Sequence, residues 1–352
     1  MQNQTIEYLI DDGYTHWNNA ERVAEIGIEL ESRTRLDLSR KFLRRALYLN
    51  PTSRPDWYMF LSFACFRDAR RMDEDGELAL TDGIEKTNSA VIKANYIAFM
   101  EDEQAAEEMI SEARLSNDPS VQYTLASSLN WRGRTDESLE MFRTAAANTG
   151  DNEFPICIED YPFTLGWAKA KGYDIDLETE SLPVLDRLIA HNPFAYRYRA
   201  VKLQNFQALK DWQRVQECCH EILDIMPDEE TTMLALGIAL EQQEQTDEAL
   251  MWYSRAIGAK PSFARARLNI SKIYEKRGRL DAAEDYLRQI PAANPDYTFG
   301  GILLSFFLQR HKRHDEALRS FEDVYPRLKN HEKSWVEQFA EGKELLKLSE
   351  EA

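Results

Sequence analysis

The chain has 352 residues, 43 % of them apolar and 30 % charged, a balance that supports a folded core and excludes a chain-long disordered tether. Asp plus Glu total 61 against 43 Lys plus Arg, a formal charge of −18; this disfavours a broad nucleic-acid or anionic-membrane surface, because both recruit clustered cations. Cys65, Cys157, Cys218 and Cys219 form no CxxC pair, so neither a disulfide framework nor a zinc knuckle is expected.

In chain order, the opening MQNQTIEYLIDDGYTHW lacks a basic stretch followed by an apolar run. No secretory signal is expected there, and residues 4–17 read as a cap. Residues 20–51 then carry Val23, Ile26-Gly27, Leu30, Leu43, Ala46 and Asn50-Pro51, a pattern of two amphipathic helices. Residues 54–87 begin in the same way with Trp57 and Phe60-Leu61 but carry extra residues around RDARRMDEDGE, and 88–118 is slightly short. Residues 119–150 return to the pattern with Leu125, Leu129, Gly133, Asp136 and Phe142. The stretch TGDNEFPICIEDYPF (149–163) interrupts the spacing and is too rich in Ile, Phe and Tyr for a free tether. It is expected to join two blocks, residues 1–150 and 151–352.

Residues 162–193 keep the unit's end, HNP, but their inter-helix segment GYDIDLETES is divergent, and the pattern is most specific from Tyr196 onward. Pro193, Pro227, Pro261 and Pro295 lie 34 apart, as do Ala249, Ala283 and Ala317, and Asp247, Asp281 and Asp315. In 230–261, Met233, Leu236, Gly237 and Leu240 form one face of a first helix. A polar break, EQQEQT, leads to Asp247 at a helix start, then Ala249, Tyr253, Ala256 and Ile257 form the stripe of a second helix that Pro261 ends. The longest apolar run, ILLSFFL (302–308), is too short to cross a bilayer. Residues 333–352 read as one last amphipathic helix with Trp335, Phe339, Leu345 and Leu346 on one side.

Leu236-Gly237, Leu240, Ala249, Tyr253, Ala256 and Pro261 resemble the tetratricopeptide repeat, W-x2-L-G-x2-Y followed by A-x3-F, A and P. Residues 264–295 restate it as Ile270, Tyr274, Gly278, Ala283, Leu287 and Pro295. The resemblance implies an all-α fold: a right-handed α-solenoid of about nine helix-turn-helix repeats with a C-terminal capping helix. In that family the first-helix face opposite the hairpin lines a concave groove that holds extended peptides or partner helices. The same offsets here select Arg197 and Gln204, Leu234 and Ile238, Arg265, Asn269 and Lys272, and Phe299 and Phe306 as peptide-binding residues. Co-chaperone members of the family grip a C-terminal carboxylate with a polar set across three repeats. Leu234, Ile238, Phe299 and Leu303 stand where that set needs polar side chains, which argues against such a clamp.

Chemistry is sparse. His311 and His314 lie beside Asp315 in the polar QRHKRHDE stretch, where a solvated turn explains them better than a metal site. Cys218-Cys219 fits as small apolar packing in a second helix. No GxGxxG, GxxxxGK[ST], GxSxG or HExxH is present. The expectation is a non-catalytic, cytoplasmic protein-interaction scaffold without cofactor or metal. A rival is a peptide- or ligand-responsive regulator of an enzyme or transcription factor. A third reading, an RNA-binding helical repeat suggested by KFLRRALYLN, is opposed by interleaved acids and the net charge.

Overall fold

The computed structural model describes residues 6–32, 35–52, 54–69, 73–193, 195–294, 297 and 299–351, so Pro295, Thr298, the first residues of the expected cap and part of the RDARRMDEDGE stretch lie outside the described residues. The described residues form helices and turns with no strand. They divide into two compact units, Met1–Val201 and Lys202–Ala352.

The first unit runs α1 (Ile6–Thr15), α2 (Ala20–Ser32), α3 (Leu36–Leu49), α4 (Asp56–Ala69), α5 (Glu74–Thr87), α6 (Ala90–Tyr96), α7 (Glu103–Ala113), α8 (Pro119–Trp131), α9 (Thr135–Ala147), α10 (Asp160–Ala170), α11 (Leu177–Glu180) and α12 (Leu182–His191). The division falls inside α13 (Tyr196–Leu209). The second unit continues with α14 (Trp212–Ile225), α15 (Glu230–Gln242), α16 (Thr246–Ala259), α17 (Ala264–Lys276), α18 (Leu280–Ala293), α19 (Phe299–Arg310), α20 (His314–Val324), α21 (Asn330–Val336) and α22 (Ala340–Glu351). Neighbours in sequence pack as hairpins: α2 with α3, α4 with α5 and α8 with α9, then α15 with α16, α17 with α18 and α19 with α20. Hairpins also pack on their neighbours, through α3 and α4 in the first unit and through α16 and α17 and α18 and α19 in the second. This is the arrangement of an all-α solenoid.

The repeat letters act inside the hairpin. Ala249, Tyr253 and Ala256 are fully buried, and a Cβ on Gly237 would lie 2.5 Å from Cε1 of Tyr253. Glycine at 237 therefore lets α15 and α16 approach around that ring. The turns repeat as well. Gly133, Lys210, Glu244, Gly278 and Lys312 all have left-handed backbone, with φ of 77, 56, 64, 72 and 61°. After each, the next amide donates back to the carbonyl five residues earlier: Arg134 to Leu129, Asp211 to Phe206, Gln245 to Leu240, Arg279 to Tyr274 and Arg313 to Leu308. These bonds satisfy carbonyls left open at the end of the first helix. Only two of the five positions are glycine, so three turns place a charged residue in the left-handed region.

Three features depart from the sequence reading or were invisible to it. The single helix expected over 333–352 is two helices, α21 and α22, broken at 337–339. Val336 is fully buried at the break, and Gly342 backs onto its carbonyl where a Cβ would lie 2.1 Å from the oxygen. The 149–163 stretch is held against its own unit: Cys157 and Ile158 are buried, and the Ile156 amide donates to Ser120 Oγ at 3.3 Å. Finally, Arg267 occupies a first-helix position that points into its hairpin. It is 6 % exposed, and its Nε and Nη1 have no hydrogen-bond partner among the described residues.

Candidate functional site

On α17, Arg265, Asn269 and Lys272 follow a four-then-three spacing, which places them on one face. The opposite face is committed to the hairpin, with Ala266, Ile270 and Ile273 buried. Arg265 and Lys272 are exposed, and neither has a hydrogen bond or ion pair among the described residues. Burial raises the pKa of the Tyr297 phenol and Glu332 adds to the rise, while Arg265 opposes it, so Arg265 projects its charge toward that ring. Asn269 is half-buried, and its side chain meets the Tyr253 hydroxyl, which also donates to Glu241 at 3.2 Å. A residue of this face is thus braced by a residue of the repeat signature.

Several other cations of this unit are engaged by acids. Lys276 at the end of α17 donates to Glu241 at the end of α15, at 3.1 Å. Arg310 at the end of α19 pairs with Glu275 at 3.1 Å and with Glu341 at 3.2 Å, and His311 Nε2 meets Glu275 at 2.9 Å. Burial raises the Glu275 pKa, but Arg310 and His311 outweigh it and hold the carboxyl below its ordinary value. The result is a ladder of ion pairs joining the ends of successive first helices at 35-residue separation. The sequence carries this signal as an acid at 241 and 275 answered by a cation at 276 and 310.

The remaining predicted residues divide. Ile238 on α15 is half-buried, and Gln204 on α13 is exposed. Leu234 and Phe306 were expected on an open groove floor, but they are 2 % and 4 % exposed. Both are packed into the protein because a first helix is covered on more than one side. Phe306 stacks on Trp335 of α21 (6.2 Å, 10°) and meets Phe339 at 5.8 Å, while Phe299 lies 4.5 Å edge-on to Trp335. The chain's own C-terminal segment therefore covers the apolar part of α19. Arg197 lies in the first unit and pairs with Glu159. Among the described residues no group of three or more His, Cys, Asp or Glu is placed to hold a metal; His311 meets Glu275, and His314 meets Gln309 at 3.0 Å. All four cysteines are buried and unbridged. No helix among the described residues is long and apolar enough to cross a membrane.

With this geometry in place, similarities to known proteins can be set beside it. The family model described as tetratricopeptide repeat matches residues 240–298, the stretch from the end of α15 to the start of α19. Peroxisomal targeting signal receptors are similar over part of the chain. That of Eremothecium gossypii is 36 % identical over 66 residues, which is 19 % of this chain and 12 % of the receptor. That of Saccharomyces cerevisiae is 31 % identical over 85 residues, 24 % of this chain and 14 % of the receptor. The chain thus spans only a small part of the length of these relatives. Two solved MamA structures align at 14 % identity: one covers 46 % of this chain and 87 % of its own with a TM-score of 0.37, and a double mutant covers 51 % and 97 % with a TM-score of 0.41.

Proposed function

We propose that this chain, a tetratricopeptide repeat protein, is a non-catalytic interaction scaffold that binds a peptide or helix of another protein on the free face of α15 and α17. The observation that carries the reading is the pair Arg265 and Lys272, exposed and without an acidic partner among the described residues, on a face that the hairpin does not use. Asn269 between them offers amide hydrogen bonds to a peptide backbone, and Ile238 on α15 offers apolar contact. Such a mixture suits an extended ligand with acidic groups. Gln204 and Phe299 belong to the proposed set as flanking contacts. Leu234 and Phe306 act as support beneath the surface.

The partial relatives are receptors of a targeting signal, which supports a peptide-like ligand. The two repeat blocks, 1–150 and 151–352, and a cytoplasmic site of action are part of the same proposal; four unbridged cysteines suit a reducing compartment. The test is affinity capture with wild type and with Arg265→Glu/Lys272→Glu, followed by identification and direct titration of the captured partner. The double variant is expected to weaken binding at least about tenfold, the scale of losing central charged contacts. Equal affinity in both proteins removes the proposed face.

A further inference from the structure

Phe299 and Phe306 stand 34 residues after Arg265 and Lys272, so they continue the α17 face onto α19. That continuation is covered by the chain's own C-terminal segment. Trp335 of α21 stands edge-on to Phe299 at 4.5 Å and stacks on Phe306 at 6.2 Å, and Phe339 lies 5.8 Å from Phe306. The rings of Trp335 and Phe339 are themselves 4.0 Å apart, so a pair of aromatics meets a pair of aromatics. Leu268 of α17 and Leu303 of α19 pack against the same buried cluster as Trp335. Three residues before Trp335, Glu332 acts on the Tyr297 phenol in the direction opposite to Arg265, which brings an acid of the segment into the neighbourhood of the α17 cation.

This segment is held differently from the helix that follows it. Among the described residues, no hydrogen bond or ion pair joins residues 330–339 to α17 or α19. Its polar bonds are local: the Lys329 amide donates to Glu332 at 2.8 Å, Gln338 donates to the Ser334 carbonyl at 3.2 Å, and Glu337 meets Tyr325. Trp335 is half-buried and Phe339 is 37 % exposed. In α22, by contrast, Leu345 is fully buried and Glu341 pairs with Arg310 at 3.2 Å. Val336 belongs to this fixed side, because a Cβ on Gly342 would lie 2.9 Å from its Cγ1. The rings are thus the segment's attachment to α19, and Val336 is its tether to α22.

We propose that residues 330–339 are an internal ligand of this face, displaced by a partner segment of the same chemistry: two aromatic side chains four residues apart, with an acid before them. The proposal rests on the α17 face being the ligand face. Phe306, beneath the surface while the segment is in place, becomes part of it when the segment lifts. Being tethered, the internal ligand competes at high effective concentration. The probe is a labelled peptide of residues 329–343, titrated by fluorescence anisotropy into the full chain. Trp335→Ala/Phe339→Ala is expected to bind it at least about tenfold more tightly than wild type does. A peptide with alanine at both ring positions is expected not to bind, and adding Phe299→Asp to the open variant should weaken binding at least about tenfold. Equal affinity in wild type and the open variant, binding of the alanine peptide, or indifference to Phe299→Asp overturns the proposal. Hydrogen exchange on wild type tests it without a variant: the amides of Lys333 and Glu337 should exchange at least about tenfold faster than the hydrogen-bonded amides of α22, and equal protection overturns it. The proposal can fail separately from the α17 reading. A partner weakened by Arg265→Glu/Lys272→Glu, together with no peptide binding to the open variant, removes only the internal ligand; the reverse pair of results removes only the charged contacts.

Discussion

Replacing Arg267 with Met is expected to make the second unit more stable. The guanidinium is 6 % exposed, and two of its three nitrogens find no partner among the described residues. Burial lowers its pKa, with only a small opposing influence from Tyr286. Each buried, unsatisfied donor costs about 1–3 kcal/mol, and replacing buried charged groups with apolar ones of similar size has stabilised proteins by about 1–4 kcal/mol. Met is of similar length and flexible, so it can follow the path of the arginine stem without a cavity. A gain of about 1–3 kcal/mol follows, or about 2–4 °C in Tm per kcal/mol for a unit of this size. Urea titration followed by helical circular dichroism measures it. Lys272→Met on the same helix is the control: it changes an exposed side chain and is expected to stay within about 0.5 kcal/mol of wild type. An unchanged or lowered midpoint for Arg267→Met would falsify the reasoning, because it would mean that the guanidinium has a compensating partner.

Three further outcomes are expected. Gly237→Ala places a Cβ 2.5 Å from the buried Tyr253 ring and should destabilise by about 1–3 kcal/mol; a variant as stable as wild type contradicts the close-approach account. Glu244→Gly relieves a left-handed backbone at φ 64° and should stabilise by about 0.5–1 kcal/mol, whereas glycine in the helical interior at Glu248 should do the reverse. Glu284 is paired with Arg288 and Arg313 at 2.5 Å each. Burial raises its pKa, but Arg313 and Arg288 bring it below the ordinary carboxylate value. A carboxyl lowered in the folded state stabilises above its unfolded pKa and loses that contribution as pH falls through the folded value. The stability difference between wild type and Glu284→Gln should therefore shrink from about pH 7 to about pH 3; a difference that holds constant with pH excludes this linkage.

The repeat spacing in the sequence was enough to establish the fold, since each conserved-interval letter answers a contact made within one hairpin. Ala249, Tyr253 and Ala256 recur because a second helix must dock on a first, and Gly237 because the Tyr253 ring passes over it. The Arg265, Asn269 and Lys272 face was legible for the same reason: residues four and three apart on a helix share a side whatever lies around it. Other features required coordinates. The left-handed turns at Lys210, Glu244 and Lys312 were hidden because their side chains carry no glycine signal, and their backbone is set by the return hydrogen bonds. The exposure of Trp131, Phe163 and Trp167 likewise shows only in the folded chain. Leu234 and Phe306 had the right offset for an open floor, yet they are buried, Phe306 beneath Trp335 from a segment 29 residues away. Helical periodicity determines which residues share a face, because it depends only on neighbours along the chain. Whether that face is open depends on what distant segments fold across it, and only the tertiary structure decides that.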